Sequence, residues 1–309
     1  MLAYLRLFRW QNLLVVALSQ YLFRYCIVVH ALKSQNIQPF FTDFEFFLLV
    51  LATVLVSAAG YAINDYFDLR VDRINKPHKI ILGKDLSRRK AIFVHTVLNI
   101  IAVIIGLYLT YRVRYIPLAG VFVVVPALLW IYSIKYKRKF LIGNIIVALL
   151  SAIVIAIVWI FEYRGIMISY DVNIQTVRIN QLLGFYLLFA FFSSFIREII
   201  KDIEDIKGDM KTGCRTIPIV AGVRSSKRLI IILIIILIFF VGYFQIFLLG
   251  LEYDLIFAYL LFAVQIPLIL FINRINLAKE KIDYTINSRY AKFVMVAGVI
   301  SMFLFCFYL

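Results

Sequence analysis

Nine apolar stretches, each about as long as a lipid bilayer is thick, restrict this chain more than any other feature. They cover residues 10 to 32, 44 to 63, 91 to 111, 114 to 134, 141 to 162, 181 to 200, 228 to 250, 253 to 273 and 291 to 309, and they carry almost no charge. About 20 apolar residues in a helix cross a hydrocarbon core roughly 30 Å thick. Helix is the only sensible form for them. Unpaired backbone groups are too costly in lipid, and the alternation of a membrane β-barrel is absent from runs such as LIIILIIILIFFVG, from Leu229 to Gly242. The fold class expected is therefore an all-α membrane protein with nine transmembrane helices in one bundle. A composition that is 64% hydrophobic and only 16% charged excludes an ordinary soluble core. No small-residue cleavage pattern follows the first run, so it reads as a retained span and not as a signal peptide.

The net charge of +16 invites a nucleic-acid partner, but its distribution argues against one. Nine spans put alternate loops on opposite sides. Most Lys and Arg fall at the N-terminus and in the even-numbered loops, whereas the other side carries only Lys33, Arg112, Arg114, Arg164 and Arg178. By the positive-inside rule the N-terminus is expected in the cytoplasm and the C-terminus outside. The basic excess then serves topology, with a contribution from anionic lipid headgroups or an anionic substrate. Cys26, Cys214 and Cys306 are far apart in sequence and read as packing residues. His30, His78 and His95 form no cluster.

No Pro-, Ser- or Gly-rich linker divides the chain, which points to a single domain over 1–309. Within it a repeat shows. NDYFDLRVD runs from Asn64 to Asp72 and KDIEDIKGD from Lys201 to Asp209; both contain DxxDxxxD, and both follow directly on an apolar run. This implies an internal two-fold repeat with halves of about 1–140 and 141–309. Each motif ends an even-numbered run, so both are expected on the cytoplasmic side.

If each motif prolongs its transmembrane helix, a rotation of about 100° per residue brings Asp65, Asp68 and Asp72 within an arc of about 60°, and likewise Asp202, Asp205 and Asp209. Like charges so arranged repel unless a cation neutralises them. Oxygen-only ligands suit hard cations, and Mg²⁺ characteristically takes one or two carboxylates and completes its shell with water and phosphate oxygens. The bland alternative, solvated charges at a helix end, suits one DxxD better than two identical triplets on one side of the membrane. Glu204 falls on the opposite face of its helix and reads as a solvated charge, while Glu198 reads as a base or as a partner of Arg197. Arg197, Lys201 and Asp205 share one face at i, i+4, i+8, so the two cations line the approach to the acids. Asn64 holds the position in the first repeat that Lys201 holds in the second, where it can orient a phosphate oxygen or a water. Of Lys135, Lys137, Arg138 and Lys139, most serve as a positive-inside anchor, with Lys137 the choice for reaching a diphosphate.

NDYFDLRVDRINKP followed by REIIKDIEDIKGD resembles the UbiA superfamily of intramembrane prenyltransferases, over nearly the whole chain. Within it, DRINKP and KDIEDIKGDMKTGCRTIPI are most similar to the geranylgeranylglycerol-phosphate geranylgeranyltransferases and their bacterial relatives. The resemblance implies that the aspartates Asp65, Asp68, Asp72, Asp202, Asp205 and Asp209 are both metal ligands and catalytic. It further implies that Mg²⁺ is the cofactor and that Asn64, Arg197 and Lys201 contact the diphosphate of a polyprenyl donor. Tyr132 and Lys137 look like the Tyr and Lys this family often places between the fourth and fifth helices, and Gly143 and Asn144 like a recurrent pair after them. Where many members read something like RPIPSG, this chain reads HKIILGKD from His78 to Asp85, with Lys79 and Lys84 standing in for the usual basic residues. The expected activity is Mg²⁺-dependent transfer of a prenyl group to a lipid acceptor, best geranylgeranylglyceryl phosphate, in a membrane-embedded site facing the cytoplasm. An aromatic acceptor of quinone biosynthesis is the alternative. A transporter is disfavoured because the aspartates gather at one membrane face and not at its midplane.

Overall fold

The computed structural model describes residues 2–170 and 175–308, with the side chain of Lys79 outside the description. Among the described residues, nine helices are long and apolar enough to cross a membrane: α1 (Trp10–Lys33), α2 (Asp43–Asn75), α3 (Arg88–Arg112), α4 (Ile116–Ile134), α5 (Ile142–Ser169), α6 (Val177–Lys211), α7 (Val223–Leu249), α8 (Asp254–Leu277) and α9 (Lys281–Phe307). The described residues contain no strand. Each apolar run of the sequence is thus one helix, and the expected fold class holds.

Helix ends follow local chemistry. Thr42 opens α2 with a capping box: its hydroxyl accepts from the Glu45 backbone N–H while the Glu45 carboxylate accepts from the Thr42 N–H. Ser87 caps α3 by accepting from the N–H of Lys90. The two helices that carry acidic motifs are the longest, at 33 and 35 residues. At 1.5 Å per residue each reaches about 50 Å, well beyond the roughly 30 Å of a hydrocarbon core. Their last turns therefore lie in the headgroup zone, where carboxylates meet water. These two helices touch each other, and α1, α3 and α4 gather around α2 while α5, α7 and α9 gather around α6.

The end of the bundle away from the motifs is tied by buried charge. Arg24, an arginine inside an apolar run, is fully buried and donates to the carbonyl of Phe41. Its guanidinium lies 4.0 Å from the Glu162 carboxylate and 4.4 Å from the centroid of the Phe46 ring. Glu162 in turn accepts from the N–H groups of Phe40 and Phe41. A buried ion of either sign is tolerated only when paired and hydrogen-bonded, so this pair clamps the chain entering α2 onto α1 and α5. On the outer faces, stripes such as Phe239, Tyr243 and Ile246 of α7 are exposed, as lipid-facing side chains must be.

Candidate active site

A cavity of about 1290 Å³ runs into the bundle from the motif end. Its mouth is lined by all six motif aspartates, Asp65, Asp68 and Asp72 from α2 and Asp202, Asp205 and Asp209 from α6. Asn64, Tyr132, Lys137, Asn144, Arg197 and Lys201 line it as well, so the structure gathers the site residues expected from sequence into one chamber. Lys79 is the exception, since its side chain lies outside the described residues. Deeper in, the wall turns apolar, with Phe122, Val125, Ile155 and Phe189. An amphiphile with an anionic head and a hydrocarbon tail matches this polarity gradient.

Two glycines let the backbones come close enough to build the mouth. A Cβ on Gly143 would sit 2.9 Å from the Tyr136 carbonyl oxygen and 3.0 Å from the Lys137 Cα. Only glycine admits the loop before α5 at that distance, and the close approach sets Lys137 beside α2 and Asn144 beside α6. A Cβ on Gly208 would collide with the carboxamide of Asn75 at 2.5 Å. That carboxamide donates to the Asp205 carbonyl (2.8 Å) and accepts from the Gly208 N–H (2.8 Å), which clasps the ends of α2 and α6 together.

The carboxylates are interleaved with cations instead of forming bare acidic triplets. Asp68 binds the ammonium of Lys137 and accepts from the Asn64 amide at 2.7 Å; Asn64 in turn accepts from Lys137 at 3.2 Å. Asp65 pairs with Arg9 at 2.8 Å, Asp202 accepts from Asn144 at 2.7 Å, and Asp205 pairs with Lys76 at 2.7 Å. Burial opposes the charge of Lys137, but Asp68 more than offsets it and raises its pKa above the usual lysine value. Lys76 is raised in the same way by Asp205 and Glu204 against its burial. Both side chains stay cationic throughout the physiological range.

The sequence reading needs correction at Glu204. Glu204 is no solvated charge: it is 8% exposed, lines the cavity and lies 3.7 Å from Lys76. Lys76, directly after α2, reaches both Glu204 and Asp205 and so draws Glu204 into the site. Arg197 and Lys201 line the approach to the acids as expected, and both are held there by Glu198, at 3.2 Å and 2.9 Å. Of the two readings of Glu198, the partner of Arg197 is the one the structure shows, and Lys201 joins that pair. Three residues that sequence reasoning missed, Arg9, Asn75 and Lys76, take part in the site. Arg9 and Lys76 are indistinguishable in sequence from the other positive-inside residues, and the signal the sequence carries is Asn75-Lys76-Pro77, an amide and a cation at a helix stop directly after the motif.

Among the described residues no three acidic, His or Cys side chains converge into a ready-made metal cage. The donor set nonetheless suits a hard divalent ion that is completed by substrate oxygens. Asp72 and Asp209 make no side-chain hydrogen bond or ion pair among the described residues, and the Asp205 Oδ1 atom is buried without a partner. Such oxygens cost free energy unless something binds them.

Known proteins share the family and the fold of this chain. The sequence profile of the UbiA prenyltransferase family matches residues 23–306. The digeranylgeranylglyceryl phosphate synthase of Methanosphaera stadtmanae is 32% identical over 191 residues, which span only 62% of this chain and 62% of that protein. The enzyme of the same name from Sulfolobus acidocaldarius is 32% identical over 273 residues, covering 84% of this chain and 86% of the relative. Among solved structures, a UbiA homolog from Archaeoglobus fulgidus bound to DMAPP and Mg²⁺ superposes with a TM-score of 0.56 at 19% identity, over 96% of this chain and 99% of that one. With a family match over residues 23–306 and a common nine-helix fold, the chain belongs to the UbiA prenyltransferase family.

Proposed function

We propose that this protein transfers a prenyl group, best geranylgeranyl, from a prenyl diphosphate to a lipid acceptor, geranylgeranylglyceryl phosphate, with release of diphosphate. The observation that carries this reading is the convergence of two carboxylate-bearing helix ends and Lys137 on the polar mouth of an otherwise apolar chamber. The names of the relatives support the acceptor, and they give no support to the aromatic acceptor weighed as the alternative. The ligands described for the Archaeoglobus fulgidus homolog support Mg²⁺ and a prenyl diphosphate, although a chain from that organism is also described with Cd²⁺. We further place the N-terminus and the cavity mouth on the cytoplasmic side and the C-terminus outside, from the bias of Lys and Arg.

In this reading Asp65, Asp68, Asp72, Asp202, Asp205 and Asp209 would hold the divalent cation. When bound, that ion supplies Lewis-acid neutralisation of the diphosphate leaving group. Lys137, with Arg197 and Lys201 behind it, places positive charge where negative charge grows as the allylic C–O bond breaks and the electron pair departs with diphosphate. Asn64 and Asn144 hold Asp68 and Asp202 in place. Tyr132, buried at the neck of the chamber, and the apolar wall beyond it keep water from the developing prenyl cation. The acceptor hydroxyl oxygen then forms the new C–O bond and loses its proton.

The test is mass spectrometry of the lipid product, with assay of released diphosphate, after supplying the purified protein with geranylgeranyl diphosphate, geranylgeranylglyceryl phosphate and Mg²⁺. An ether-linked product that vanishes on chelation with EDTA and returns with added Mg²⁺ is expected. Turnover that persists after chelation, or uptake of substrate into liposomes without chemical change, would overturn the reading.

A further inference from the structure

The cavity carries further cations on a wall beside Lys137, Arg197 and Lys201. That wall is built where the N-terminal segment meets the last helix, α1 against α9. Arg6 ends the short helix Leu2–Leu7 and Arg9 follows it; Arg289 and Lys292 stand one turn apart on α9, and all four line the cavity. The two pairs are linked. Lys292 Nζ donates to the Asn12 carboxamide oxygen at 2.7 Å, and the Asn12 amide donates to the Tyr61 hydroxyl at 3.2 Å. The Arg9 guanidinium lies 4.9 Å from the centroid of that same Tyr61 ring.

Charge along this wall is uncompensated. Arg9 alone has a carboxylate partner, Asp65; among the described residues Arg6, Arg289 and Lys292 form no ion pair. Among the described residues the one side-chain hydrogen bond of Lys292 goes to a neutral amide. Arg9 itself is held in the left-handed region, at φ 52°, a conformation that costs a non-glycine residue about 1 kcal/mol or more and persists where the surroundings impose it. It turns the N-terminal helix back over the mouth. Cations drawn together without anions repel, and an anionic ligand relieves that repulsion.

The ligand's other end is also legible. Directly beyond Lys292, the cavity-facing positions of α9 become Met295, Val296 and Val299, and those of α1 become Val15 and Val16. A phosphate at the mouth would thus continue into hydrocarbon within two helical turns. We propose that Arg6, Arg289 and Lys292, with Arg9 behind them, bind the phosphate of the acceptor lipid, while its chains lie between α1 and α9. This assignment rests on the reading of the protein as a prenyltransferase with a phosphorylated acceptor. It gives the chamber a second anion site adjoining that of the donor, and makes the α1–α9 wall the determinant of acceptor class.

The experiment compares two acceptors, geranylgeranylglyceryl phosphate and its unphosphorylated alcohol, in the full-length wild type and in the Lys292→Gln and Arg289→Gln variants. The exposed Arg289 guards against misfolding of the more enclosed Lys292 variant. In each variant kcat/KM for the phosphorylated acceptor should fall about 10- to 100-fold, the worth of a charge-assisted hydrogen bond. The alcohol should lose less than about 2-fold, and the KM for geranylgeranyl diphosphate should stay as in the wild type. Equal losses with both acceptors, or a phosphate preference that survives both substitutions, would overturn the proposal. A separate measurement of binding of the phosphorylated lipid, without donor or metal, keeps the two readings apart. Binding that depends on Lys292 without any transfer would sink the enzymatic reading and leave the site standing, whereas transfer with an unaltered phosphate preference would do the reverse.

Discussion

Asp68→Asn and Asp202→Asn are each expected to lower prenyl transfer by about 1000-fold or more, since a divalent cation at a leaving group supplies several kcal/mol of transition-state stabilisation. Asparagine keeps the shape and one acceptor oxygen, so Asn144 retains a partner at position 202 and Asn64 at position 68. The protein should therefore melt in detergent within a few degrees of the wild type, and the loss should lie in kcat. Rates measured at saturating Mg²⁺ and donor decide the matter. A variant that kept more than about a tenth of wild-type turnover would remove that aspartate from the metal set, and two such variants would remove the set.

Lys137→Met should cost about 100- to 1000-fold in kcat, the loss seen when one preorganised charge donor is taken from a water-poor site. This lysine comes from the loop between α4 and α5 yet reaches α2, and its raised pKa keeps it charged at any pH where the enzyme is assayed. Methionine preserves the length of the stem and removes only the ammonium. A steric role would leave kcat nearly unchanged in this variant, so single-turnover rates at saturating donor separate the two. The Lys137→Arg variant should recover part of the loss, because charge is restored in a different geometry.

The architecture could be read from sequence because the bilayer imposes a length: every run near 20 apolar residues became a helix. The runs ending at 63 and 200 stopped early, as the apolar pattern stops there, while α2 and α6 continue to Asn75 and Lys211. The repeated DxxDxxxD gave the six aspartates and their common side of the membrane, since a helix carries that spacing to one face. What it could not give was pairing across the bundle. Arg9 reaches Asp65, Lys76 reaches Asp205 and Asn75 reaches Gly208 only after α1, α2 and α6 have packed, and no spacing along the chain encodes such contacts. Arg24 shows the opposite case: a lone arginine in an apolar run calls for a buried acid, and Glu162 answers it from 138 residues away in sequence.

The pairing of Lys137 with Asp68 has a consequence for how the two ligands of the donor site arrive. Each side chain now occupies the other's natural partner. Asp68 turning to a metal ion would strand the ammonium, and Lys137 turning to a diphosphate would strand the carboxylate, so either ligand alone must break an existing contact for half the return. When both come, one exchange satisfies everyone. Mg²⁺ and prenyl diphosphate are thus expected to assist one another, each tightening the other's binding by an identical factor, as thermodynamic reciprocity demands. Titrating one in the presence and absence of the other would read that factor directly, and a value of one would mean that the lysine and the aspartate do not trade partners.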